Sequence, residues 1–323
     1  MSHEIDMSNN RANMAYTGKA PWHKLGVELK PDSPLEIWAT QAGFDWTILQ
    51  TPARYESNLR GATRIVPDKH VLYRSDTLNA LAVVGDRYVP VQPKDVMEWF
   101  RDLIECSEYK METAGMLFEG KRFWAMANND TSDYVRKDDV IRPYLFFYTS
   151  CDGTSASIAA QSAVRVVCNN TLQLAINSIG QKTAAKRRHT INADLNSMKT
   201  ELGVAPEQFA AFMNRMRALA NVKVSPVTNS EIVKTLFDAN DDQENLSTRK
   251  INIVAKVLES IATSPGTNGN RSAWDTFNGI TYYVDHVQGR ADDTRFQSAM
   301  IGTGNTLKQK ALVTIEELCG IAA

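Results

Sequence analysis

The chain has 323 residues, a net charge of -1 and 43% hydrophobic residues, which is typical of one large globular domain or two fused ones. This charge balance excludes a protein that coats nucleic acid with its whole surface, so an anionic partner would need a local basic patch. The apolar runs are all much shorter than the roughly 20 residues of a membrane span, and the N-terminus lacks an export signal.

The first half of the chain shows mainly strand-like patterns. Residues 1–20 are polar and are predicted to form a flexible arm. A short helix is expected at 33–43, because Pro34 suits a first helical turn and Gly43 suits a helix end. Alternating apolar residues then predict strands over 44–90.

Further strands follow a helix in "PKDVMEWFRDLIEC". The segment "METAGMLFEGKRFWAMANN" predicts a hairpin, and "DVIRPYLFFYTSCDG" and "SAVRVVCNNTL" predict two more strands. After Lys182 the apolar spacing changes to a period of 3.6, which indicates helices up to the C-terminus.

These patterns predict an α+β fold. We expect an antiparallel or mixed β-sheet core with crossing helices in the N-terminal half, and an α-helical C-terminal half. The expected divisions are the arm at 1–20, an α+β core domain at 21–180 and a helical part at 181–323.

Motifs for catalysis and cofactor binding are weak. The glycines of "MIGTGNT" lack the spacing of a dinucleotide site, and no P-loop occurs. The five histidines are scattered, so we expect no metal, no cofactor and no catalytic residue. The turn at Cys151-Asp152-Gly153 would need a nearby base to act as a nucleophile site, and a structural turn is the alternative.

The densest basic cluster is "KTAAKRRHT". Most such charge runs are solvated linkers. Its charges have one sign, however, and it follows a predicted strand that carries Arg165, whose guanidinium is well shaped for phosphate. Trp22, Trp124 and Tyr148 are considered as base-stacking residues. The predicted nucleic-acid-binding residues are Arg165, Lys182, Lys186, Arg187, Arg188 and His189.

Several segments together resemble a known family. They are "APWHKLGVEL", "VVGDRYVPVQ", "GKRFWAMA", "TSCDGTSAS" with "VRVVCNNTL", "KRRHT" and "MIGTGNTLKQKAL". In this order they look like the phage- and plasmid-like family catalogued as a domain of unknown function, found on prophages and mobile elements. Family members usually have a histidine where this chain has Cys151, which argues against acid-base chemistry at that turn.

A weaker, fold-level resemblance links the chain to the single-strand annealing recombinases of the Red-beta group. It implies an ATP-independent protein that binds single-stranded DNA in a basic groove, anneals it in recombination or replication, and forms a homo-oligomeric ring or filament. The resemblance also implies the cytoplasm of the host cell, and the four cysteines, without a C-x-x-C pair, agree with reduced thiols.

Two alternatives remain open at this point. The protein could be a phage structural or host-interaction protein, such as an anti-defence protein, without DNA binding. It could also be an enzyme, such as a nuclease or transferase, built around the Cys151-Asp152-Gly153 turn, which would need clustered carboxylates or a base near Cys151. An apolar stripe near the C-terminus, formed by Ala311, Leu312, Ile315 and Leu318, could pack against a second copy or inside its own chain.

Overall fold

The computed structural model describes most of the chain. The described residues are 5–18, 25–58, 61–106, 109–165, 170–173, 184–189, 195, 197–198, 206–239, 246–267, 271–289, 298–299 and 302–321.

Twelve strands are described in these ranges, and they form two sheets. The larger sheet has nine strands in the order β11-β10-β9-β7-β6-β1-β2, with β12 paired to β10 and β8 paired to β9, and the smaller has the order β3-β4-β5. The strands are β1 (Met14–Thr17), β2 (Val27–Leu29), β3 (Ile48–Glu56), β4 (Thr63–Arg74), β5 (Ala80–Gly85), β6 (Lys110–Leu117), β7 (Arg122–Asn128), β8 (Asp133–Arg136), β9 (Asp139–Ser150), β10 (Ser157–Arg165), β11 (Asn170–Gln173) and β12 (Ala184–Arg187).

The helices lie mainly in the second half of the chain. They are α1 (Leu35–Gln41), α2 (Pro93–Cys106), α3 (Pro206–Asn221), α4 (Pro226–Leu236), α5 (Thr248–Thr263), α6 (Ala273–Tyr282) and α7 (Thr303–Cys319), and a π-helical turn at Tyr283–Val287 follows α6. The β1–β2 pair is parallel and the other pairs of the larger sheet are antiparallel. The predicted α+β class with a mixed sheet and a helical C-terminal half is confirmed.

The larger sheet buries both of its faces, and β9 shows how. Leu145 and Phe147 belong to the core under α1 and α2, whereas Tyr144, Phe146 and Tyr148 belong to a cluster on the opposite face. Successive side chains of a strand point to opposite faces, so an uninterrupted apolar run is what a strand covered on both sides requires.

The N-terminal segment is more ordered than the arm expected at 1–20. Ile5 and Asp6 are buried, and β1 pairs with β6 inside the larger sheet. Asp6 accepts from Arg74 at 3.0 Å, and Asp76 binds the other side of the same buried guanidinium at 2.7 Å. Asp6 and Arg74 are 68 residues apart, so local polarity in the sequence does not reveal that this segment is held.

The helices of the second half share one apolar core. The described side chains of α6 are almost all buried, and Ser272 and Asp275 form a capping box at its start. Arg136, which ends β8, reaches Asp275 at 2.9 Å and so fastens the sheet to this central helix. Within the described ranges, no helix is long and apolar enough to cross a membrane.

The apolar stripe of α7 packs within its own chain. Ala311, Leu312 and Ile315 are buried in the helical core, and Leu318 is 40% exposed. The intramolecular alternative for this helix therefore explains its pattern, and the stripe gives no support to self-association.

Candidate nucleic-acid interface

The described part of the basic cluster is β12, at the edge of the larger sheet, and the two residues that follow it, Arg188 and His189. Lys186 pairs with Ile158 and Arg187 with Ser157, so β12 extends the sheet beyond β10 after the boundary expected at residue 180. Ala185 is fully buried, whereas Lys186 and Arg188 are exposed. Successive residues of an extended chain lie on alternate sides of it, so Lys186 and Arg188 share the exposed side and Ala185 lies on the buried side.

The exposed cations Lys186 and Arg188 have no carboxylate partner in the part of the chain that the structure describes. Within the described residues, neither the Lys186 amine nor the Arg188 guanidinium lies in an ion pair. Both side chains are thus available to an anionic partner, and their hydration can be exchanged for contacts with phosphate oxygens.

Arg187 has a different environment from its neighbours. It is half-buried, and its Nε and Nη2 donate to Ser197 Oγ at 3.2 and 2.7 Å. Its Nη1 donates to the Lys186 carbonyl at 2.9 Å. These contacts brace β12 against the segment that follows it, so Arg187 is more a supporting residue than an open phosphate ligand.

Arg165 is not beside the cluster. It ends β10, where its backbone pairs with Ile141 and Asn170, whereas Lys186 pairs with Ile158. Arg165 lies seven positions after Ile158 along β10, a backbone separation of roughly 23 Å at about 3.3 Å per residue. The backbone of Arg165 is therefore distant from the part of β10 that pairs with β12. Lys182 lies outside the described residues.

His189 is buried, which differs from the expected exposed cluster. It is 7% exposed, and its Nδ1 lies 2.9 Å from the Tyr88 hydroxyl. Its Nε2 lies 3.3 Å from the hydroxyls of both Thr149 and Ser157. Burial lowers the pKa of His189 to about 4, and the nearby Asp152 opposes this shift only in part. The imidazole is therefore neutral at pH 7 and does not face a phosphate.

The Cys151 turn lacks an accessible nucleophile. Cys151 is fully buried, its Sγ lies 3.4 Å from the Lys121 carbonyl, and burial raises the pKa of its thiol to about 12. A thiol rather than a thiolate is present at neutral pH, and the thiol is the weaker nucleophile. Ser157, next to His189, is also fully buried. In this conformation a substrate reaches neither group.

Two of the three aromatic residues considered for stacking, Trp124 and Tyr148, are not available. Trp124 is 5% exposed and Tyr148 is fully buried, and Trp22 lies outside the described residues. Trp124 and Tyr148 are therefore not placed to stack on a base. The described part of the chain also contains no group of three or more His, Cys, Asp and Glu side chains that could hold a metal ion.

One functional candidate, Arg87, escaped the sequence reasoning. It lies in the turn after β5, next to Tyr88, and is exposed. Tyr88 and His189 are 101 residues apart in the chain, so no local pattern reveals that this turn adjoins β12. In the sequence, the segment "VVGDRYVPVQ" stands out only as part of the family resemblance.

The comparisons with known proteins identify a family but no function. The family model described as "Domain of unknown function (DUF932)" matches residues 80–309, and the chain belongs to this family. The match begins at β5 and includes the Arg87 turn, β10, β12 and most of the helical part. No curated protein and no solved structure matched.

Proposed function

We propose that this DUF932 protein binds the backbone of single-stranded DNA through β12, without ATP, and promotes annealing in recombination or replication of a phage or mobile element. The observation that carries the proposal is the pair of exposed cations, Lys186 and Arg188, on the sheet edge. Neither has a carboxylate partner in the described part of a chain whose net charge is -1.

The physical argument rests on counterion release. Each cation that replaces a condensed counterion on a single strand contributes about 0.7 to the slope of log K against log salt. About four neutralised phosphates would give a slope of roughly -3. Phosphate contacts position a strand without reading its sequence, which suits a protein that pairs many different strands.

Annealing also requires that strands be held together, so the proposal includes assembly into a ring or filament. Because the apolar stripe of α7 is used inside its own chain, the contact between copies would involve another surface. Light scattering with and without an oligonucleotide tests this part separately from binding.

Fluorescence anisotropy with a labelled single strand tests the proposal. K186A/R188A should lower the salt slope by about 1.4 and weaken binding about 25-fold at 0.1 M salt, because two contacts at 0.7 each act over the decade below 1 M. Arg249, an exposed residue of α5, supplies the control R249A, which should bind like the wild type.

Two results would contradict the proposal. One is a wild-type protein that binds no single strand even at low salt. The other is a double variant that binds like R249A. If a specific host protein co-purifies and DNA does not bind, the host-interaction alternative is favoured. The buried state of Cys151 and Ser157 provides no support for the enzyme alternative.

A further inference from the structure

The turn after β5 packs against His189, the histidine of the basic cluster. The rings of Tyr88 and His189 stack with centroids 5.2 Å apart, and the Tyr88 hydroxyl lies 2.9 Å from His189 Nδ1. The Val89 amide donates to the His189 carbonyl at 3.2 Å. A backbone contact and a side-chain contact thus join two segments that are about 100 residues apart.

This junction is a complete hydrogen-bond network around a neutral imidazole. The Tyr88 hydroxyl donates to the Ser150 carbonyl at 3.2 Å, and its oxygen can then accept from His189 Nδ1. His189 Nε2 is left to accept from the hydroxyl of Thr149 or Ser157. Satisfied buried networks of this kind fix one arrangement of the segments that they join.

The junction brings the turn that carries Arg87 against His189, two residues after the end of β12. Arg87 precedes Tyr88 and Arg188 precedes His189, so each member of the stacked pair carries an adjacent exposed arginine. Within the described residues Arg87 has no ion pair. The neighbouring Asp86 carboxylate lies 3.0 Å from His70 Nδ1. Asp152, whose charge raises the pKa of His189, lies 3.7 Å from Arg122.

We propose that Arg87 contacts phosphate together with Lys186 and Arg188, and that Tyr88 and His189 are positioning residues that hold the two segments as one anion-binding surface. The ligand is a phosphodiester chain, so this inference rests on the proposed function. It adds a second chain segment to the surface and assigns a role to a family motif that β12 alone does not explain.

Arg87→Ala tests the contact directly. The variant should bind a labelled single strand about fivefold more weakly than the wild type at 0.1 M salt, with a salt slope smaller by about 0.7, as expected for one lost phosphate contact. R249A is again the matched control. If the wild type binds and K186A/R188A is weakened but R87A equals R249A, the inference is overturned while the proposed function stands. If the wild type does not bind, the proposed function itself fails.

Tyr88→Phe tests the positioning role. It removes only the hydroxyl that meets His189, so Arg87 should lose its alignment and the salt slope should fall by about the same 0.7. R87A/Y88F should then bind like R87A alone, because residues that act as a unit are not additive. A lower melting temperature with an unchanged salt slope, or additive losses in the double variant, would overturn the positioning role. Arg87→Ala, at an exposed site, keeps the contact testable if Y88F does not fold.

Discussion

Two regions of the molecule use arginine in opposite ways. Where the sheet meets the helical part, Arg136 binds Asp275 and Arg217 binds Asp133, and between two of the helices Arg215 binds Glu316. Around β12, Arg87, Lys186 and Arg188 are exposed and have no ion pair within the described residues. The paired arginines join elements of the fold, whereas the exposed cations on and near β12 are free to contact an anionic partner. The comparison predicts that substitutions in the paired region lower the free energy of unfolding, whereas substitutions of the exposed cations weaken binding and leave that free energy nearly unchanged.

The largest stability effect is expected at the paired region. Asp275 is 3% exposed and accepts from Arg136 at 2.9 and 3.0 Å and from the Ser272 amide at 2.9 Å. Asp275→Ala leaves a half-buried guanidinium without its partner and removes the half of the α6 capping box in which the Asp275 carboxylate accepts from the Ser272 amide, so it should cost about 3 kcal/mol of unfolding free energy.

Urea unfolding measures this change, with Glu259→Ala on the exposed face of α5 as the control. A loss for Asp275→Ala no larger than that of the control would show that this ion pair does not fasten the sheet to the helices. Near-wild-type affinity for DNA in the folded variant is also expected, because Asp275 lies in the region of paired charges.

His189 predicts a pH dependence that originates at the junction beside β12. Its folded pKa of about 4 lies below the ordinary histidine value of 6.5, so the unfolded state binds more protons between these values. The contribution of His189 to the free energy of unfolding is therefore fully present above pH 6.5. It decreases as the pH falls toward 4, by about 2 kcal/mol at pH 4.5. Chemical unfolding at pH 7.5 and 4.5 should show this loss in the wild type.

His189→Gln supplies the comparison. The variant should be less stable at pH 7.5 but lose about 2 kcal/mol less than the wild type on acidification. Acidic groups elsewhere titrate equally in both proteins, so their contribution cancels in the difference. Parallel stability curves for the two proteins would contradict a buried neutral His189.

A smaller stability effect is expected for Arg187, which lies on β12 like Lys186 but is held by hydrogen bonds like the arginines of the paired region. Arg187→Ala removes the two hydrogen bonds to Ser197 and should cost about 1 kcal/mol of unfolding free energy. K186A/R188A should change stability by less than about 0.5 kcal/mol, since exposed charges contribute little. Equal stability losses in both variants would remove the distinction between a supporting and a ligand-contacting cation on β12.

The sequence predicts the fold better than it predicts the site. Period-two and period-3.6 patterns identify the β-rich first half and the helical second half because these periods are local. The anchoring of Asp6 by Arg74 and the stacking of His189 on Tyr88 link residues 68 and 101 positions apart. Charge patterning identifies 182–190 as a basic segment but predicts no strand there, and β12 and the burial along it are what distinguish Lys186 and Arg188 from Arg187.

Arg165 illustrates the same limit in the opposite direction. Its closeness to the cluster in sequence suggested one patch, yet antiparallel pairing of β12 near the start of β10 sets Arg165 at the far end of that strand. Strand register, which depends on non-local pairing, therefore decides which basic residues lie close enough to contact the same phosphate or adjacent phosphates.

The most direct test of the central claim is a comparison of charge-swapped variants of β12 in single-strand binding across a salt series. K186R/R188K preserves both charges and should keep the wild-type salt slope, whereas K186E/R188E should abolish binding at 0.1 M salt while the protein stays folded. Binding by K186E/R188E that equals that of the wild type would contradict the assignment of β12 as the phosphate-contacting edge.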